Sequence, residues 1–235
     1  MTFRFKQFSV EDDRSTMLIG TDAILLGAWA EPSIAKSILE IGTGCGVISL
    51  MLAQQSNAHI DAIDIDEESV KQAESNFRQS PWNDQLHPQL ISLQEFTVKS
   101  GKQYDLVITN PPYFIDSLQS PSEKKNRARH TTKLSRNELI KSIRSLLKPE
   151  GDFLIILPFE ESRKLSVLAE EEGLTLRKQM NVSPKAGKPF NRILSSYCSF
   201  ICESATSEDL VIRGSDNRFT REYITFTNPY YLSLQ

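Results

Sequence analysis

The chain of 235 residues is short of the residues that mark several protein classes. Its three cysteines, Cys45, Cys198 and Cys202, are an odd number without the spacing of a zinc site or a disulfide framework. They are expected to be free thiols in a reducing compartment, and no metal site is expected. No apolar run approaches the ~20 residues of a bilayer span. The opening MTFRFKQFSVEDDR lacks the apolar stretch of a secretory signal. There is no internal repeat and no low-complexity segment, so collagen-like and disordered chains are excluded. What is present is an ordinary globular composition, 39% hydrophobic and 24% charged, long enough to bury a core without a metal or disulfide. The expectation is a soluble cytoplasmic protein.

A formal net charge of -3 speaks weakly against a nucleic-acid partner, but it conceals strong segregation. Residues 121–150 carry nine basic side chains and three acids, a net +6. Residues 177–192 carry five basic side chains and no acid, whereas residues 31–80 carry eight acids and three bases. Such asymmetry can build a local positive field on an acidic protein. Charge alone leaves a merely solvated basic face equally open.

Hydrophobic periodicity alternates between strand and helix. TDAILLGAWA at 21–30 reads as a short amphipathic helix with Thr21 or Asp22 near its cap. SILEI, the turn GTGCG and VISLMLAQQ then read as strand, turn and helix. HIDAID is a second strand, followed by a helix from about Asp66 to Gln79 with acids in its first turn, which suits the helix dipole. QLISL and YDLVIT are the next strands, and Ser135 to Glu138 has capping-box spacing at the start of another helix. GDFLIILP, a helix over 159–172, and a final strand pair, LTLRKQMNV and RILSSYCSFI, complete the pattern, with a last short helix over 219–228. This alternation predicts an α/β fold, a mostly parallel sheet with helices on both faces. Ligands of such sheets sit beyond the carboxyl ends of the strands. GTGCG and Asn110-Pro111-Pro112-Tyr113 both fall there.

Glu40-Ile-Gly42-Thr-Gly44-Cys-Gly46 follows a strand and opens a helix. The glycines allow a ligand to approach bare backbone at a helix N-terminus. A dinucleotide fingerprint, GxGxxG, would need its third glycine at 47, where the chain has Val47. An acid at Glu40 suits a cationic ligand better than a pyrophosphate. Asp64, ending the second strand, stands where ribose hydroxyls would need an acceptor. The alternatives are a turn that only packs helix on strand and an acid that only flanks a helix.

Asn110-Pro111-Pro112-Tyr113 ends a strand that reads as buried on both faces. Two prolines remove two N–H donors and keep their carbonyl acceptors. With the Asn110 side-chain oxygen and the flat Tyr113 ring, the tetrapeptide suits a planar substrate bearing an amino group. Hydrogen bonds to both amino protons would turn the nitrogen lone pair towards an electrophile. A stiff strand-ending turn is the bland alternative.

The two motifs together, ExGxGxG at 40–46 and NPPY at 110–113, with an acid at 64, resemble class I S-adenosylmethionine-dependent N-methyltransferases. The resemblance spans roughly residues 17–200. It implies a Rossmann-like fold with a seven-stranded, mostly parallel sheet and an antiparallel terminal strand. More narrowly, MLIGTDAILLGAW at 17–29 and RARHTTKLSRNEL at 127–139 resemble the bacterial tRNA(Val) adenine N6-methyltransferase family, which acts on the purine 3′ of the anticodon. That likeness implies a single domain over 1–235: an extension over 1–36 that completes the cofactor pocket, a catalytic core over 37–202 and an appendage over 203–235. It implies that Glu40, Gly42, Gly44, Gly46 and Asp64 bind S-adenosylmethionine, joined by Thr21 and Asp22 and by Glu95 near the adenine. Asn110, Pro111, Pro112 and Tyr113 would hold the target amine. Lys124, Lys125, Arg127, Arg129, His130, Lys133, Lys185, Lys188 and Arg192 would meet tRNA phosphates. A monomer is the working expectation.

Two rivals remain within the enzyme class. Protein glutamine N5-methyltransferases acting on release factors use an NPPY motif too, but usually carry an N-terminal helical domain that this sequence is expected to lack. A ribosomal RNA guanine N2-methyltransferase is the other. A non-catalytic S-adenosylmethionine-binding partner subunit is the alternative from a different class, and such partners often lose the NPPY motif kept here.

Overall fold

Largely buried runs form the central strands of the sheet, and helices pack over both of its faces. The computed structural model describes residues 2–15, 18–111, 134–200 and 204–233. The chain begins with β1 (Thr2–Arg4), β2 (Ser9–Glu11), α1 (Thr21–Trp29), β3 (Ser37–Ile41), α2 (Val47–Ala53), β4 (His59–Asp64) and α3 (Glu67–Arg78). It continues through β5 (Leu86–Leu90), α4 (Leu93–Lys99), β6 (Tyr104–Thr109), α5 (Arg136–Leu146) and β7 (Leu147–Pro158). It closes with α6 (Phe159–Glu171), β8 (Thr175–Lys185), β9 (Arg192–Cys198), β10 (Thr206–Arg213) and α7 (Arg221–Thr227).

Strands β1 and β2 form a separate antiparallel pair; the other eight make one sheet in the order β10-β8-β9-β7-β6-β3-β4-β5. Only β9 runs against the rest of that sheet. The strand order reverses between β3 and β6, so the switch point at which such sheets bind ligands lies between their carboxyl ends. One face is covered by an apolar core that includes Leu25 and Leu26 of α1, Leu50 of α2 and Phe77 of α3. The opposite face is covered by Phe96 of α4, Leu139 and Ile143 of α5 and Leu165 of α6. No helix among the described residues is long and apolar enough to cross a membrane.

Local signals explain most boundaries. Asp66 caps α3 by accepting the Ser69 N–H at 2.8 Å. Ser135 and Glu138 close a reciprocal capping box on α5. Four sequence expectations are corrected. The sheet has eight strands rather than seven, because the expected appendage supplies β10, which pairs in parallel with β8; α7 then contributes Tyr223 to the first core. The strand expected at QLISL is instead β5, whose Pro88 is tolerated because β5 is an edge strand. Ser92 caps α4, a helix not expected from the sequence, through the Glu95 N–H at 3.2 Å. Helix α1 is buried almost all round, not amphipathic, and its cap is Gly20.

Towards the start of β4, Asp61 is buried under a polar cluster. It accepts from the Tyr104 hydroxyl at 2.6 Å, Lys102 Nζ at 2.9 Å and Gln89 Nε2 at 3.0 Å. Burial alone would raise its pKa; the bonds from Tyr104 and Lys102 outweigh that and hold it below the ordinary range.

Candidate active site

Strand register builds the site. Ile41 of β3 lies opposite both Ile63 of β4 and Thr109 of β6. The next residue on each strand is therefore Gly42, Asp64 and Asn110, at three adjacent strand ends ~4.8 Å apart. The turn after β3 is tied to β4 through Gly42 N and Thr43 N, which donate to Ile63 O at 2.9 and 3.1 Å. Gly44 N donates to Asp64 Oδ2 at 2.9 Å, and Asp66 N to Asp64 Oδ1 at 3.0 Å. Each carboxylate oxygen keeps a further lone pair for a hydroxyl donor.

Two glycines of the turn have different reasons to be glycine. At Gly42 (φ +74°) an added Cβ would meet nothing within 4 Å, so bare backbone faces open space. At Gly46 (φ +82°) an added Cβ would run into the Phe77 ring of α3, so this residue is required by packing. Cys45 between them is buried, which pushes its thiol up to about 12 and leaves it inert at neutral pH.

Glu40 is 1% exposed beneath the turn. Its Oε2 accepts from Thr43 Oγ1 at 2.8 Å, from Ser49 N at 3.1 Å and from the Ser49 hydroxyl. Burial pushes its carboxyl up to about 7, against the hydrogen bonds from Ser49 and Thr43 and with help from the charge of Asp64. A nearby cation would return this group to its ionised form. An open backbone turn, a buried acid under it and a second acid at the next strand end therefore fit a cationic nucleoside ligand.

The remaining expected site residues divide into five groups. Asn110 is half-buried and Pro111 buried beyond β6, whose Thr109 Oγ1 donates to Ile41 O at 2.8 Å. Asp22, on the exposed start of α1 beside Thr21, pairs with Arg192 (Nε to Oδ2, 2.8 Å), so an expected cofactor residue and an expected RNA residue meet each other. Glu95 is turned to its own helix, beside Ser92 and Lys99. Lys185 ends β8 and Lys188 follows it on the same edge of the sheet. Pro112, Tyr113, Lys124, Lys125, Arg127, Arg129, His130 and Lys133 lie outside the described residues.

Sequence reasoning missed an apolar surface at this edge. Ile65 follows Asp64 and is 56% exposed, and Leu90, opposite Asp64 in the register, is 53% exposed. The available signal was an apolar residue directly after a strand-ending acid. It also missed Thr43 and Ser49, whose hydroxyls are legible only once α2 is folded over Glu40.

Residues 18–170 match the family model of the methyltransferase small domain. Fold, glycine turn and strand-end acid together define a Rossmann-like methyltransferase that uses S-adenosylmethionine. A tRNA1(Val) (adenine(37)-N6)-methyltransferase of Parabacteroides distasonis is 40% identical over 232 residues, 99% of this chain and 98% of that one. Proteins of the same name from Phocaeicola vulgatus and Tolumonas auensis are 42% and 38% identical, each over 99% of this chain and 98% of theirs. The chain belongs to this family. Among solved structures, a ribosomal protein L11 methylase of Lactobacillus delbrueckii is similar with a TM-score of 0.55, at 16% identity over 83% of this chain and 98% of that one. A "predicted O-methyltransferase" of Agrobacterium tumefaciens has a TM-score of 0.67 at 15% identity over 89% and 96%. These structural likenesses speak for the fold alone.

Proposed function

We propose that the protein methylates the exocyclic N6 of an adenine in tRNA, at position 37 beside the anticodon of tRNA1(Val). The observation that supports this reading is the shared level of Gly42, Asp64 and Asn110 on adjacent strands, where a cofactor cradle and an amine-holding strand end would stand side by side. S-adenosylmethionine, when bound, supplies a methyl group activated by its sulfonium charge. Gly42 and Gly44 offer bare backbone to its methionine end, with Glu40 below as counter-charge. Asp64 accepts from the ribose hydroxyls, and Ile65 gives the adenine an apolar floor.

On the acceptor side the task is positioning. The N6 lone pair of adenine is delocalised into the ring and is a poor nucleophile. The Asn110 side-chain oxygen and the Pro111 carbonyl accept hydrogen bonds from its two N–H groups and hold the nitrogen pyramidal, with Tyr113 to stack on the ring. No strong base is required, because the proton is lost after the methyl has arrived. An anticodon-loop purine is swung out of its stack at modest cost. Lys185 and Lys188, with the basic residues between 124 and 133, attract the surrounding phosphates, while Arg192 is engaged by Asp22. With tRNA as substrate the protein works in the cytoplasm, and we take it to act as a monomer.

Purified protein incubated with labelled S-adenosylmethionine and tRNA from cells lacking the gene is expected to yield label in N6-methyladenosine after nucleoside digestion. Label that enters supplied release factors and leaves tRNA unlabelled would replace this reading with protein glutamine methylation.

A further inference from the structure

The half of the sheet beyond β6 carries a feature that the acceptor site does not use. The ends of β7 and β8 and the turn into β9 border an open cleft of about 430 Å³ lined by Phe159, Ser183, Lys188, Pro189 and Phe190. That is within the ~300–1,000 Å³ typical of small-ligand sites. Phe159 and Phe190 are 38% and 37% exposed, whereas the core phenylalanines at 77 and 153 are 1% or less exposed. The turn is firmly built: Lys188 N donates to Lys185 O at 3.0 Å, Asn191 N to Val182 O at 2.9 Å and Ala186 N to Arg213 O at 2.8 Å. Ser183 Oγ donates to Lys188 O at 3.1 Å. The backbone that carries Phe190 is therefore fixed by hydrogen bonds, and Phe159 opens α6 directly after β7.

Charge distinguishes this cleft from ordinary surface. Of the five basic residues over 177–192, Arg177 pairs with Asp152, Lys178 with Glu31 and Arg192 with Asp22. Lys185 and Lys188 form no ion pair among the described residues; Lys188 lines the cleft, and Lys185 ends β8 three residues before it. Two partly exposed aromatic rings near two lysines without an ion pair suit a flat, uncharged ring carried on a phosphate chain. Ile155 of β7 lies opposite Thr109 of β6, so Phe159 stands one strand over and roughly 10 Å beyond Asn110. That separation leaves room for a base held at Asn110 and for its neighbour beyond it.

We propose that this cleft is a second base site, which takes the unstacked base adjacent to the methylated adenine between Phe159 and Phe190 while Lys185 and Lys188 meet its phosphates. The inference rests on the tRNA reading above and deepens it. Stacking on protein aromatics tolerates any base and accounts for part of single-strand affinity.

The test uses an anticodon stem–loop RNA, unmodified or with an abasic nucleotide on the 5′ or the 3′ side of the acceptor adenine. Wild type, Phe159→Ala and Phe190→Ala are compared by steady-state kinetics, with melting temperature and cofactor binding as folding controls. Each variant is expected to raise KM for the unmodified RNA by about 5- to 150-fold, with kcat changed less than the KM. One of the two abasic RNAs should cost the wild type a similar factor and cost Phe190→Ala nothing further. Additive losses at both neighbours, or a fall in kcat at unchanged KM, would overturn the second site; the latter would put Phe190 on the acceptor adenine itself. A wild type that methylates no stem–loop or tRNA would overturn the tRNA reading, a separable result.

Discussion

Replacing Gly46 and Gly42 separately by alanine separates packing from ligand space within one turn. Both have positive φ, so an L side chain costs ~1–2 kcal/mol at either position. At Gly46 the new methyl also meets the Phe77 ring and stands 3.3 Å from Ala73 Cβ, and such overpacking adds ~1–3 kcal/mol. Gly46→Ala should therefore lose ~2–5 kcal/mol, a large part of the ~5–15 kcal/mol that holds a domain folded. For a chain of this length that lowers Tm by roughly 5–20 °C. Gly42→Ala, with nothing within 4 Å, should lose only the backbone cost, but its methyl projects into the space assigned to the cofactor. Its affinity for S-adenosylmethionine should fall about 5- to 150-fold in a nearly normal fold. Thermal unfolding by circular dichroism and titration calorimetry read the two effects. Equal losses of Tm, or a Gly46→Ala protein that melts like wild type and only binds more weakly, would refute this division.

Glu40 makes binding depend on pH: its folded pKa is raised, so its contribution to stability is present below the ordinary carboxylate pKa and is lost as pH rises towards about 7. A bound cation reverses that loss, so cofactor affinity should rise from pH 6 to 8 with proton release, and Glu40→Gln should flatten the calorimetric profile. Asn110→Ala should abolish methyl transfer and leave cofactor affinity within a few-fold; normal turnover would remove Asn110 from the mechanism. Tyr104→Phe deletes the 2.6 Å bond to Asp61 and should cost ~1.5–3 kcal/mol in urea unfolding, with turnover unchanged because that cluster sits towards the opposite ends of the strands.

Elements with a strong local signal were legible in the sequence. SILEI, HIDAID and YDLVIT coincide with β3, β4 and β6, since each is a short isoleucine-containing segment bounded by a turn or a helix start. Strand β10 was not, because TSEDLVIR is half polar and is a strand only through its pairing with β8. Proline misled at β5, where only knowledge of the strand order reveals an edge that tolerates it. Within the site, Glu40, Gly42, Asp64 and Asn110 are legible as motif positions. The Asp22–Arg192 pair is not, because it joins residues 170 positions apart whose proximity depends on β9 running against β7.

The strand order also bears on redesign. The glycine turn and Asp64 belong to the β3–β4 side of the switch point, while Asn110 and the β8–β9 turn belong to the other. Insertions or replacements in the turn after β8 leave the hydrogen bonds among Gly42, Ile63 and Asp64 untouched. On the proposed assignment, acceptor choice and methyl-donor binding sit on separate halves of the sheet, and a designer seeking a new acceptor would begin at residues 183–192.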